Sequence, residues 1–367
     1  MKIERVILSG GGTGGHIFPA LAIANEISKR YPDAEILFVG ALGRMEMEKI
    51  PAAGYKIVGL PVMGFPRKPG FKMFTFFVRL MKSAALARKI VKEFRPQVAI
   101  GVGGFASGPL LRAAAQKKIP TLIQEQNSYA GITNKLLSKT VDSICVAYDK
   151  MDRYFPSEKI MFTGNPVREE LVQNSQNKNE ALEYFGLTGT EKVILIVGGS
   201  LGALSVNNAV LKNIDTIAKS GVKVIWQTGA IYFERIQKEL EGRKPENLQI
   251  HQFVSRMDLA YYVAGLVISR AGAGTISELC LVGKPAILVP SPNVAEDHQT
   301  KNALALVEKQ AALMITDAEI DEKLFTEAFS VINDSGKCNQ LSEKIKTLAK
   351  PNATKDIVDE VEKLMQE

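Results

Sequence analysis

The chain has 367 residues, 46% apolar and 23% charged, a globular composition long enough for two domains. Its net charge of +7 is local: between Gly64 and Arg95 nine Lys/Arg residues stand against one Glu, and the remainder is near neutral, which excludes a surface generally adapted to nucleic acid. No apolar run approaches a membrane span; Cys145, Cys280 and Cys338 have no disulfide or metal spacing and predict a reducing compartment, and Met1 to Arg5 enters a strand without a signal-peptide core.

Taken in order, Val6-Ile7-Leu8 reads as a buried strand, and apolar residues at helical spacing follow from Ile17 to Ile27. Between them lies Ser9-Gly10-Gly11-Gly12-Thr13-Gly14-Gly15-His16. A glycine loop between strand and helix lets backbone N–H groups approach an anion, and the helix N-terminus adds partial positive charge. No Gly-Lys-Ser/Thr closes it, so it is not a P-loop, and the dinucleotide fingerprint fits only loosely. The other reading is a tight turn with glycines for packing.

Strands are predicted at residues 35–40 and 55–60, followed by Gly64-Phe65-Pro66-Arg67-Lys68-Pro69-Gly70-Phe71-Lys72 and a helix through Phe76, Arg79 and Lys82. Lys72, Arg79, Lys82 and Lys89 share an arc of roughly 100° at 3.6 residues per turn. Interleaved aromatic and basic residues suit an anionic bilayer surface; a core helix with a solvated basic face is the alternative. A strand at 97–102 leads to a second glycine loop, Gly103-Gly104-Phe105, and a strand at 121–123 to Gln124-Glu125-Gln126-Asn127. That tetrad stands where α/β sheets place ligand groups, with Asn134 further on, although Asn127 can also be read as a helix cap.

After further strands near 143–147 and 160–163, Gly164-Asn165-Pro166-Val167-Arg168 reads as a hinge. The pattern then restarts with a strand at 192–197, Gly198-Gly199-Ser200-Leu201-Gly202-Ala203 and a helix. Strands near 222–228 and 248–254, the latter carrying Phe253 and Val254, precede Arg270-Ala271-Gly272-Ala273-Gly274-Thr275-Ile276-Ser277-Glu278. Thr275 and Glu278 have the spacing of a capping box; the functional reading turns Glu278 toward ribose hydroxyls. Pro285 to Pro290 opens into a polar block, Glu296-Asp297-His298-Gln299, and two amphipathic helices broken at Pro351 end the chain.

In this order these motifs resemble the MurG family of bacterial N-acetylglucosaminyltransferases, which make lipid II from lipid I, and the resemblance spans nearly the whole chain. It implies an α/β fold of two Rossmann-like domains facing across a cleft, the GT-B type: residues 1–164 for acceptor and membrane, 165–340 for the UDP-sugar donor, and C-terminal helices at 341–367 packing back on the first domain. It also implies an inverting transfer from UDP-N-acetylglucosamine, peripherally bound at the cytoplasmic face of the bacterial cell membrane. Partners would be lipid I, an anionic membrane surface and other cell-wall proteins, without nucleic acid, and neither cofactor nor metal is expected.

Carried over by residue, the resemblance puts Arg168, Ser200, Phe253, Val254, Thr275, Glu278, His298 and Gln299 on the donor. Thr13, Gly14, Gly15 and Asn127 extend that set. Gly12, Thr13, Gly104 and Asn134 fall to the acceptor, and Phe65, Lys68, Phe71, Lys72, Phe76, Arg79 and Lys82 to the membrane patch. Where the family often has two adjacent glutamines this chain has His298-Gln299. The mechanism expected is attack by the acceptor's 4-hydroxyl on the anomeric carbon, with His16 as base and Glu125 as the second candidate. A UDP-N-acetylglucosamine 2-epimerase of similar architecture, an NAD-dependent oxidoreductase and a lipid-binding scaffold are the competing readings.

Overall fold

Short apolar strands alternate with helices throughout, and the computed structural model describes this pattern over residues 2–64, 70–167, 171, 178–199 and 201–366, with no side-chain description at Phe71, Lys72 and Ala295. The chain divides into two units, Met1–Val167 with Lys350–Glu367, and Arg168–Ala349.

The first unit is built on strands β1 (Arg5–Ser9), β2 (Glu35–Ala41), β3 (Lys56–Leu60), β4 (Val98–Gly101), β5 (Thr121–Glu125), β6 (Ser143–Val146) and β7 (Ile160–Phe162). They form a parallel sheet in the order β3-β2-β1-β4-β5-β6-β7. Its strands are apolar on both faces because helices cover both. Val6, Leu8, Phe38 and Ile100 point to helix Gly14–Arg30 and the final helix, whereas Ile7, Val39, Ala99 and Ile123 point to the side of Ala87, Val91, Leu110 and Ala114. This is the two-residue period of a strand read into two separate cores.

The second unit repeats the plan with β8 (Val193–Val197), β9 (Lys223–Gln227), β10 (Leu248–His251), β11 (Leu266–Ser269), β12 (Ala286–Leu288) and β13 (Leu313–Met314). Its order is β10-β9-β8-β11-β12-β13, again parallel, which is the doubly wound order of a Rossmann sheet. In both units the direction of winding reverses beside the first strand, between β1 and β4 and between β8 and β11. Ligands of such sheets sit at the carboxyl ends of these strands.

Helix Ser335–Lys346 stays with the second unit, and the last helix, Ala353–Leu364, belongs to the first. Ile357, Val358, Val361 and Leu364 recur at helical spacing and are buried in the core around Ile17 and Ile23. Arg30 fastens this helix from outside: it pairs with Glu26 at 2.8 Å and Glu362 at 3.0 Å, and also with Asp359. A buried isoleucine leaves a cavity when truncated, so Ile357→Ala is expected to lower the first unit's stability by about 2–5 kcal/mol, measured by urea unfolding.

Candidate functional site

In the first unit the loops after β1 and β4 meet backbone to backbone. A Cβ at Gly104, where φ is +89°, would lie 2.6 Å from the Gly11 carbonyl oxygen, and one at Gly10 would lie 2.6 Å from Val102. Only glycine permits that approach, so the glycines do more than turn the chain. Ser107 ties the same loops, donating to the carbonyls of Ser9 and Gly103 at 3.1 and 2.8 Å. Thr13 is the exposed N-cap residue of helix Gly14–Arg30 and makes no side-chain cap hydrogen bond, and no acidic residue stands in that helix's first turn. The exposed Phe18 lies against Gly14, 3.1 Å from where its Cβ would be.

His16 sits half-buried at this junction, its ring against Gly103, where a Cβ would be 2.8 Å from Nε2. Its Nδ1 is 2.9 Å from the Gly11 carbonyl. A carbonyl oxygen only accepts, so Nδ1 carries a proton, and whenever the ring is neutral Nε2 is its basic nitrogen. Gly12 turns its N–H away from this face, donating to the Glu46 carboxylate at 2.8 Å.

Glu125 is 2% exposed and accepts from four N–H groups: Asn127 N and Nδ2 at 3.1 and 3.2 Å, Gly131 N at 3.0 Å and Asn134 Nδ2 at 2.9 Å. It braces the turn and holds Asn127 and Asn134 in one cluster. Asn127 does not cap the next helix, Ile132–Leu137; the N-cap is Gly131, whose N–H the Glu125 carboxylate engages. Gln124 and Gln126 point elsewhere, into a buried amide network with Asn165. Asn165 therefore anchors the Gly164-Asn165-Pro166 segment in the first unit.

In the second unit Gly202 and Gly229, at φ +87° and +82°, make the corresponding contact: a Cβ on Gly229 would lie 2.1 Å from Gly202 N. Gln227, at the end of β9, donates to the Gly199 carbonyl at 3.1 Å and accepts from Val254 N at 2.8 Å. It joins the glycine loop to the segment carrying Phe253, which is 54% exposed, and Val254, which is buried. Beside it the His251 carbonyl accepts from Thr228 N at 2.9 Å, and burial lowers the imidazole below its ordinary value. Arg256 pairs with Asp258 at 2.8 Å and Glu180 at 2.6 Å; those hydrogen bonds, Asp258 first, push its guanidinium up.

The capping box that the Thr275–Glu278 spacing allowed as the alternative reading does not form. Helix Ala273–Val282 starts at an extended Gly272, so Thr275 lies inside the first turn and no side chain caps the helix. Glu278 lies half-buried and accepts from the buried Tyr261 hydroxyl at 3.0 Å. Arg270 is a brace: it reaches Asp317 at 2.6 Å, Ser205 at 2.7 Å and the carbonyls of Val289 and Pro290 at 3.1 Å. Glu296 and Asp297 both hold φ of +53°, uncommon for side-chain-bearing residues, immediately before His298 begins a helix. Gln299 accepts from Ser291 N at 2.8 Å, and His298 Nε2 stands 3.7 Å from Glu296.

Phe65, Lys68, Arg168 and Ser200 lie outside the described residues, as do the side chains of Phe71 and Lys72. Among the described residues no three His, Cys, Asp or Glu side chains group to hold a metal. The sequence reading missed Glu46, Gln227 and Tyr261. Glu46 is one of two close glutamates in Met45-Glu46-Met47-Glu48, and nothing local marks it as the fully buried one.

Two doubly wound units with glycine loops at their strand ends are the architecture of nucleotide-sugar transferases, and the comparisons agree: residues 6–146 match the glycosyltransferase family 28 N-terminal domain and residues 193–361 its C-terminal domain. A protein of Parabacteroides distasonis named UDP-N-acetylglucosamine–N-acetylmuramyl-(pentapeptide) pyrophosphoryl-undecaprenol N-acetylglucosamine transferase is 55% identical over 365 residues, covering 100% of this chain and 99% of the relative. One of the same name from Christiangramia forsetii is 54% identical, covering 98% of each chain. The crystal structure of Acinetobacter baumannii MurG superposes with a TM-score of 0.78 at 28% identity, covering 98% of this chain and 99% of that one. The chain belongs to this family of N-acetylglucosamine transferases.

Replacing Gln227 by Ala leaves the buried Val254 N–H and the Gly199 carbonyl without their partner. The expected cost is about 1–3 kcal/mol in the second unit, measured by urea unfolding, with faster amide exchange at Val254.

Proposed function

We propose that this chain transfers N-acetylglucosamine from UDP-N-acetylglucosamine to the 4-hydroxyl of the N-acetylmuramyl unit of lipid I, with inversion, giving lipid II and UDP. The observation that carries the proposal is full-length identity of 55% to a transferase named for these substrates. In this reading the 4-hydroxyl oxygen forms the new bond to the anomeric carbon, its proton passes to His16 Nε2, and the bond from that carbon to the UDP oxygen breaks. The tautomer imposed by the Gly11 carbonyl supports His16 as the base. Glu125, already engaged by four N–H donors, orders Asn127 and Asn134 toward the acceptor instead.

The donor is assigned to the second unit. Glu278, held by Tyr261, accepts from ribose hydroxyls, and the base lies along Phe253 and Val254. Charge developing on the UDP oxygen meets the uncapped N-terminus of helix Ala273–Val282, and Arg168 and Ser200 are assigned to the diphosphate and sugar by the family resemblance. Thr275, His298 and Gln299 contact the sugar, and no metal is assigned. His16→Gln is expected to lower kcat by about 100-fold or more while leaving KM for UDP-N-acetylglucosamine within twofold; near-normal kcat would remove His16 as the base. Glu278→Ala is expected to raise that KM about tenfold or more, through loss of a charged hydrogen bond. UDP release should require a lipid I analogue and persist with chelator, whereas a 2-epimerase would consume donor alone.

The acceptor's lipid implies a membrane surface, and the first unit has a face that suits one. On helix Phe71–Phe94, Phe74, Phe77 and Met81 are 67%, 52% and 73% exposed, with Arg79 and Lys82 exposed beside them and Phe76 half-buried. Ile132 and Leu136, one turn apart on Ile132–Leu137, are 63% and 75% exposed, and Lys135 stands beside them on that short helix. Helix Ser107–Gln116 packs against both elements. Apolar side chains ringed by cations suit peripheral binding to anionic lipid at the cytoplasmic face, and no helix among the described residues is long and apolar enough to cross a membrane. Replacing Phe74 and Met81 together by Ser is expected to weaken binding to anionic vesicles about tenfold or more, measured by pelleting, with donor KM unchanged.

A further inference from the structure

Glu46 is the fully buried carboxylate at the start of helix Glu46–Ala52, and the mechanism above does not use it. Its oxygens accept from Gly12 N at 2.8 Å and Ala41 N at 2.9 Å, and it forms no ion pair among the described residues. It is pressed against the first glycine loop: a Cβ at Gly11 would lie 2.1 Å from Glu46 Oε1, and one at Gly40 would lie 2.6 Å from its Cγ. A buried anion satisfied by backbone N–H groups is a costly arrangement to keep for packing alone.

The N–H that Glu46 holds and the carbonyl that His16 holds belong to one peptide group, the bond between Gly11 and Gly12. With glycine on both sides, no Cβ restricts the orientation of that peptide. Rotation would exchange the two faces. The carbonyl would meet the Glu46 carboxylate, which repels it, and His16 Nδ1 would face an N–H. The ring would then accept at Nδ1 and carry its proton on Nε2, where it cannot take one from a hydroxyl.

We propose that Glu46 is a positioning residue that locks the Gly11–Gly12 peptide and thereby holds His16 in the tautomer that leaves Nε2 basic. The order is carboxylate, peptide N–H, peptide carbonyl, imidazole Nδ1–H. It parallels the carboxylate that orients the histidine of a serine-protease triad, with a peptide group interposed. The effect on catalysis rests on His16 as base, as proposed above; the effect on the tautomer does not.

The test is Glu46→Gln, which keeps shape and removes charge. The chain has three histidines, His16, His251 and His298, so a spectrum of protein labelled with nitrogen-15 at histidine contains three imidazoles, and His16→Gln assigns the one at issue. In the native protein, at a pH where the imidazole is neutral, His16 is expected in the Nδ1–H tautomer. In Glu46→Gln a substantial Nε2–H population should appear, with kcat reduced about 10- to 100-fold, the range in which partners orienting a histidine act, and donor KM within twofold. A His16 signal that stays wholly in the Nδ1–H form in the folded variant overturns the proposal. The native protein supplies a second readout should the variant not fold: the Gly12 amide must exchange slowly, and fast exchange there overturns the proposal as well. If His16→Gln retains turnover while the tautomer shift is seen, the base assignment fails and the lock stands.

Discussion

In each unit two strand-end loops cross where glycine lets backbones approach, Gly104 against Gly11 in the first unit and Gly229 against Gly202 in the second. A parallel sheet gathers the carboxyl ends of all its strands on one edge, so the loops leaving neighbouring strands compete for the same space. Removing the Cβ lets two backbones touch, and the N–H groups and helix N-termini between them stay near the surface. The consequence is an edge made mostly of main chain, suited to anionic and polyhydroxylated ligands.

An edge built from glycine is also conformationally free, and buried polar side chains restrain it. Glu46 holds the loop after β1, Glu125 the turn after β5, Gln227 the segment after β10, and Arg270 the strand end before Ser291. Glu46 and Gln227 present their polar atoms to backbone groups, and Glu125 and Arg270 divide theirs between backbone and side-chain partners. Their common effect is to settle peptide orientations before substrate arrives, so that donors and acceptors need no reorganisation during reaction. The left-handed pair Glu296 and Asp297 shows the same emphasis in the segment after β12, where local strain sets the start of the helix carrying His298 and Gln299.

The first unit separates its chemistry from its outer surface by helix packing. One sheet face is closed by Gly14–Arg30 and the C-terminal helix, which bury a common core around Ile17, Ile23, Ile357 and Val361. The helices on the other side include Phe71–Phe94, whose N-terminal turns project Phe74, Phe77 and Met81 outward while Ala87, Ile90 and Val91 bury further along. The excess positive charge of the chain falls on this same helix and the loop before it, so the attraction to anionic surfaces is directional.

The sequence by itself determined the alternation of strands and helices, the restart of the pattern after Asn165, the glycine loops at strand ends and the aromatic–basic helix. Those features are carried by local period and residue type, which a chain displays without folding. The order of the motifs also sufficed to mark the transferase family and the candidate residues along both edges. What only the tertiary structure decided is which polar groups hold the others. His16 stood ahead of Glu125 as candidate base in the sequence, and the structure adds that Glu125 accepts from four N–H donors while His16 Nδ1 faces the Gly11 carbonyl. Thr275 and Glu278 had capping-box spacing until Gly272 took the cap and Tyr261 took the carboxylate. Glu46 was indistinguishable from its neighbour two residues on. Two of these outcomes depend on partners 17 and 34 residues distant in sequence, Tyr261 for Glu278 and Gly12 for Glu46, whereas Glu125 and His16 find theirs within nine residues, in turns that are buried only when the sheets assemble.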